Sequence, residues 1–213
     1  HISARYLATE LLLGIYFVSI LLVYGLTFKT CAFWILGCVL LGLSLVDLET
    51  YQIPNGFILA GLLVCAMADA AGYLDIIRAN CAAETMLVGR IIRPLVGSDW
   101  LAVLVDGLIG AFAVAGVLLL IALLFDRVVG RRSLGGGDVK LVFMVGLYLG
   151  LAASVLNVIV SCFIGIAFAL FTQKERADNE NPKAFPFGPS VAVATWLTLL
   201  FGSPLIGAYL SLL

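Results

Sequence analysis

Between Leu101 and Phe125 the chain runs 25 residues with a single ionisable side chain, Asp106. A helix needs about 20 apolar residues to cross the hydrocarbon core, within a range of roughly 17–25. Backbone in hydrocarbon must satisfy its own polar groups, which a helix does. Applied to the whole sequence, that ruler marks seven spans, at about Leu7–Leu26, Thr30–Leu48, Gly56–Tyr73, Leu101–Phe125, Asp138–Leu149, Leu151–Thr172 and Gly188–Leu213. The fifth and sixth are close enough to form a tight helical hairpin around Gly146 and Gly150. A break in the seventh is expected near Gly202-Ser203-Pro204. The chain is 63% hydrophobic and 12% charged, against about 45–50% and 25% for a soluble domain. The expected fold is an all-α, multi-pass membrane helical bundle of about seven transmembrane helices, a single membrane-embedded domain over residues 1–213.

Alternation of the spans sorts the cations. Arg5, Arg127, Arg131, Arg132, Lys140, Lys174, Arg176 and Lys183 fall on one side, and Lys29, Arg78, Arg90 and Arg93 on the other. The excess places the first side in the cytoplasm by the positive-inside rule. Arg131 and Arg132 are read as topology signals. The 74–100 segment mixes apolar and charged residues, which suits either an amphipathic surface helix or a solvated loop. The 173–186 stretch is strongly polar and is expected to be mobile.

Several function classes fall away. A net charge of −1 carries no nucleic-acid footprint. The five cysteines form no Cys-x-x-Cys pair, so zinc or a disulfide framework is not expected, and they read as small apolar packing residues. The sole histidine is His1, which leaves no internal histidine for nucleophilic or metal chemistry. A chain beginning with His rather than Met reads as a fragment or processed product.

Against this background two acids stand out. Asp47 lies near the end of the second span, before Ile53-Pro54-Asn55, and Asp138 opens the fifth after Gly135-Gly136-Gly137. An acid near hydrocarbon is expensive and by default a functional candidate. Both fall on the cytoplasmic side, so each is the other's expected partner. Their settings should differ. Asp138 would meet the unpaired N–H groups of a helix N-terminus, and Asp47 would sit among closing carbonyls and apolar neighbours. Such a pair can share one proton, one member deprotonating water while the other polarises a carbonyl. A bell-shaped pH–rate profile is expected. The three glycines suit a bend where backbone approaches backbone or substrate.

The combination of an Asp six residues before Ile-Pro-Asn with Gly135-Gly136-Gly137-Asp138-Val139-Lys140-Leu141 resembles the type IV prepilin peptidases. These are bacterial membrane aspartic proteases of the Gly-x-Gly-Asp class, which also holds preflagellin peptidases and presenilin-type enzymes. Two further stretches agree. Ile2-Ser3-Ala4-Arg5-Tyr6-Leu7-Ala8-Thr9-Glu10-Leu11-Leu12 is similar to a family segment that has Pro where Leu7 stands, and Pro186-Phe187-Gly188-Pro189 is similar to the segment that opens a late span.

The resemblance implies catalytic roles for Asp47 and Asp138 in removing a short basic leader from type IV prepilins or pseudopilins. It places the enzyme in the bacterial inner membrane, with the site on the cytoplasmic side. It implies no cofactor for proteolysis and no metal. N-methylation by S-adenosylmethionine is implied only for a longer parent with an upstream helix and paired cysteines, and this chain reads as a fragment lacking both. Prepilins and lipid are the expected partners, and the oligomeric state is open. Gly135, Gly136, Gly137, Lys140, Glu49, Pro54, Asn55, Pro186, Phe187, Gly188 and Pro189 are candidate substrate-binding or site-shaping residues. Lys140 is expected to reach lipid headgroups rather than Asp138. Glu10 is read as bonding a neighbouring helix in preference to binding substrate, and Asp69 and Asp106 as structural or solvated. The alternatives are a preflagellin-type peptidase and, from another class, a proton-coupled transporter. Two acids near one face, with no visible repeat, argue against a midplane transport site.

Overall fold

A computed structural model describes residues 4–26, 28–70, 99–130, 134–176 and 186–212. Six helices are present among them: α1 (Ala4–Tyr24), α2 (Phe28–Thr50), α3 (Asn55–Ala70), α4 (Asp99–Val129), α5 (Gly136–Arg176) and α6 (Gly188–Leu210). All except α3 are long and apolar enough to cross a membrane. The readings for Arg131, Arg132 and most of the 74–100 and 173–186 segments lie outside the described residues, as does the side chain of Asp69.

The count is six rather than about seven, and α5 is the reason. It is assigned as one helix of 41 residues. Run straight it would extend about 60 Å, twice the roughly 30 Å of the hydrocarbon core. It does not run straight. Gly150 has φ 75° and ψ −179°, a conformation open to glycine and strained for other residues. The Ser154 hydroxyl donates to the Gly146 carbonyl at 3.4 Å, although residues that far apart in sequence stand about 12 Å apart in a straight helix. The two legs therefore fold back on each other at Gly150, where the hairpin was expected.

The second departure is in α6. The expected break near Gly202-Ser203-Pro204 is absent, and the helix continues through Pro204 to Leu210. In a membrane bundle, neighbouring groups can re-satisfy the carbonyl that a proline strands, so it need not end the helix.

Packing follows membrane rules. Large apolar side chains such as Leu22 and Phe163 face outward and are exposed, as lipid permits. The inner core joins α2, the first leg of α5 and α6 through Phe33, Leu36, Leu43, Leu141, Met144, Val145 and Val191. Polar side chains then tie neighbouring helices. Tyr16 OH donates to Phe33 O at 2.7 Å, and Trp34 Nε1 to Phe17 O at 3.1 Å, fastening α1 to α2. Tyr24 OH to Leu199 O and Trp196 Nε1 to Ser19 Oγ fasten α1 to α6. Tyr148 OH reaches Gly61 O, joining α5 to α3, and Asn157 Nδ2 reaches Thr195 Oγ1, joining α5 to α6. Each such bond stabilises a membrane bundle by about 0.6–2 kcal/mol.

Cysteine packing is narrower than expected. Of the described cysteines only Cys65 is buried, and Cys31, Cys38 and Cys162 are exposed free thiols. Their apolar character suits lipid as well as it suits a core.

Candidate active site

Asp47 occupies the last full turn of α2 and is only 4% exposed. Its burial follows from the helix period, which places it on the same face as Leu40, Leu43 and Ser44, all buried. α2 closes on Tyr51, whose N–H donates to Asp47 O at 2.9 Å and whose φ is 55°. A left-handed closing residue is usually glycine, and here a tyrosine adopts it. The chain then turns through Gln52, Ile53 and Pro54 into α3.

The Asp47 carboxylate receives its partner from the other end of the sequence. Gly188 N donates to Asp47 Oδ2 at 2.8 Å. Gly188 is the first residue of α6, after an N-cap at Phe187 and before a proline at Pro189. The first N–H groups of a helix have no intrahelical acceptor, so this one is available. A side chain at position 188 would displace the Asp47 carboxylate, because its Cβ would lie 2.8 Å from Asp47 Oδ2 and 3.1 Å from Leu43 Cδ2.

Asp138 is held locally. Gly135 N donates to Asp138 Oδ2 at 3.2 Å, and Asp138 N donates to Gly135 O at 3.1 Å. The acid reaching back to the N–H three residues before it is one half of a capping box, and the other bond is an ordinary backbone one because glycine has no side chain to accept. Asp138 is half-buried. The two settings differ in burial, Asp47 being the more enclosed, but are alike in their backbone donors. Asp47 does sit at the end of its own helix, but it faces the N-terminus of α6, so both carboxylates accept a backbone N–H at a helix start. Both acids lie at one end of the bundle, because the loop after Asp47 meets the start of α5.

A pair of long-range contacts brings them into register. Ile53, from the loop after Asp47, packs on Gly137, where an added Cβ would lie 2.8 Å from Ile53 Cβ. Lys140 Nζ donates to Asn55 Oδ1 at 3.0 Å. Lys140, expected at the headgroups, is thus exposed yet bonded to the start of α3. The loop after one acid is clamped on both sides of the other.

The remaining candidates separate. Gly135 supplies the N–H described, and Gly137 the close approach. Gly136 faces open space. Pro54 O accepts the Phe57 N–H as α3 begins. Pro186 is buried and Phe187 half-buried at the head of α6. Glu49 is exposed at the end of α2, and Glu10 is exposed on α1 rather than packed against a neighbouring helix. Asp106 is buried against Gly150, so of its two expected roles it takes the structural one. Ile53 was not legible as a site residue, because nothing local marks an isoleucine as the partner of a glycine 84 positions later.

Two carboxylates brought to one end of the bundle, each anchored by one backbone donor, are groups able to exchange a proton with water. That arrangement can activate water against a peptide carbonyl. Among the described residues no cluster of three or more His, Cys, Asp or Glu forms a metal-binding set.

Comparison with known proteins gives a consistent picture. The model of the type IV leader peptidase family matches residues 34–170, which include both acids. The prepilin leader peptidase/N-methyltransferase of Aeromonas hydrophila is 28% identical over 99% of this chain and 63% of its own length. The proteins of the same name from Aeromonas salmonicida strain A449 and Pseudomonas aeruginosa are 29% and 28% identical, over 99% and 98% of this chain and 62% of theirs. The chain thus spans a little over six-tenths of these relatives. No solved structure matches it.

Proposed function

This chain belongs to the type IV leader peptidase family, and on that footing we propose that it is the proteolytic, membrane-embedded domain of a prepilin peptidase. Its substrate is a type IV prepilin or pseudopilin, cut between a basic leader and an apolar helix at the cytoplasmic face of a bacterial inner membrane. The excess of cations on the loops beside both acids supports that sidedness.

The observation that carries the reading is the pair of contacts, Ile53 on Gly137 and Lys140 to Asn55, that brings the chain after Asp47 against the start of α5 on both sides of Asp138. The reaction is hydrolysis by a two-acid mechanism. Water lies between the carboxyls, and the ionised member takes its proton as the hydroxyl oxygen attacks the scissile carbonyl carbon. The protonated member gives its proton to the carbonyl oxygen. The tetrahedral intermediate then collapses as the acquired proton passes to the leaving amine and a hydroxyl of the gem-diol returns a proton to the carboxylate that had donated one. No cofactor takes part in these steps. N-methylation with S-adenosylmethionine is proposed only for a longer parent.

The test is cleavage of a reconstituted prepilin in detergent by the wild type, Asp47→Asn and Asp138→Asn. Each variant should fold and lose activity by about 10²–10⁴-fold. Substantial cleavage by either folded variant would overturn the two-acid mechanism.

A further inference from the structure

An apolar groove opens between α1, α2 and α6 and ends beside Asp47. Its volume is about 210 Å³. Its wall includes Ser44 and Leu48, within a turn of Asp47 on either side, and Pro189, which follows the glycine that holds the Asp47 carboxylate. Asp47 itself does not line the groove, which passes within a turn of it along α2.

The chemistry of the wall selects its occupant. Four lining side chains carry polar atoms that could donate to a ligand, and all are already engaged. Thr9 donates to Tyr6 O, Tyr16 to Phe33 O, Ser44 to Leu40 O and Trp196 to Ser19 Oγ. The remaining lining side chains are aliphatic apart from Pro189 and Gly37. Such a surface rewards apolar contact and little else. A cavity of about 150 Å³ holds a benzene ring, so this one has room for a large apolar side chain with part of the segment bearing it. It is too small for a typical cofactor or drug-sized ligand, which needs about 300–1,000 Å³.

The rim has the opposite character. Glu10 follows Thr9 on α1, Glu49 follows Leu48 on α2, and both are exposed. Two exposed acids thus follow directly on groove-lining residues, one on each of two helices that form its walls. A complementary partner carries cations immediately before an apolar helix. A lipid acyl chain would satisfy the groove but would leave the acidic rim unmatched, and the anionic phosphate of a lipid headgroup would be repelled by it.

We propose that this α1–α2–α6 groove is the docking surface for the substrate, taking an apolar side chain of its membrane helix while Glu10 and Glu49 attract the cationic segment before it. The inference rests on the prepilin peptidase reading and adds the surface by which the substrate reaches Asp47. It also explains why α1, which contributes neither acid, lies against α2 and α6: α1 forms one wall of the groove.

The test compares wild type with Leu12→Trp and Val193→Trp, which fill the groove from exposed positions, with Glu10→Gln/Glu49→Gln, and with Phe163→Trp on the lipid-facing side of α5 as a control. The substrate is the same reconstituted prepilin. The groove-filling variants should raise KM about tenfold with kcat nearly unchanged. The double Gln variant should raise KM and flatten its dependence on salt. The control should match wild type. A benzophenone amino acid at position 193 of the Asp47→Asn protein should cross-link to the apolar segment of the prepilin. If wild type cleaves while the filled variants keep its KM and cross-links reach only lipid or a second copy of the enzyme, the groove assignment is wrong and the peptidase reading stands. Absence of cleavage by folded wild type would instead remove the reading on which the groove rests.

Discussion

Each carboxyl of the pair is gripped by a backbone amide, and the two grips differ in reach. Asp138 is tied to Gly135 three residues away, and Asp47 to Gly188 across most of the chain. Substitution at position 188 should therefore damage Asp47 without touching its chemistry. Gly188→Ala places a methyl against Oδ2 and Leu43, and the carboxylate must shift to accommodate it. We expect cleavage to fall by about 10–100-fold in a protein that still folds, with the loss in kcat rather than KM, measured on the reconstituted prepilin. The two acids and the glycines beside them were legible as residues of interest, because a charge at the edge of an apolar run is costly. Their bonding was not. Sequence position put Asp47 at a helix C-terminus, and only the packing of α6 shows that its carboxylate faces another helix's N-terminus. In the same way Lys140 read as a headgroup contact, since nothing local pairs it with Asn55.

Among the elements, α5 and the start of α3 set the spacing of the site. The Lys140–Asn55 bond and the Ile53–Gly137 contact act on the same loop. Lys140→Met and Asn55→Ala should each lower kcat, and the double variant should lose no more than the worse single one, a coupling measurable by a double-mutant cycle. Gly150 makes the turn that brings the second leg of α5 back along the first. Gly150→Ala must hold an L-residue at φ 75° and push a methyl into Asp106. It should cost about 2–4 kcal/mol, read as a lower midpoint in thermal unfolding in detergent. Here the sequence was informative in a different way. Apolar run lengths located every described helix, and the pair of runs meeting at Gly150 signalled the hairpin. Six helices stand in place of about seven because the two legs that meet at Gly150 follow one another with no loop between them. Pro204 exposed a limit of such reading, since a breaker in water is tolerated in a bundle.

At the scale of the whole molecule, the bundle buries its paired acids at one end and presents lipid-compatible side chains around its outside. Two acids sharing a proton should give a bell-shaped dependence of kcat/KM on pH, whose limbs belong to the pair and not to either residue. In Asp47→Asn or Asp138→Asn, whatever activity remains should lose one limb, which a pH series on the purified variants would show. Proteolysis by the wild type should be unchanged by EDTA, since the proposed steps use only the carboxyls and water. The order in which these parts are synthesised has a further outcome. The Asp138 cap can form as soon as its own turn leaves the ribosome, whereas Asp47 waits for a residue 141 positions later. A nascent chain halted before α6 would carry both acids with one of them still unmoored, so the pair is completed only once α6 has been made and packed.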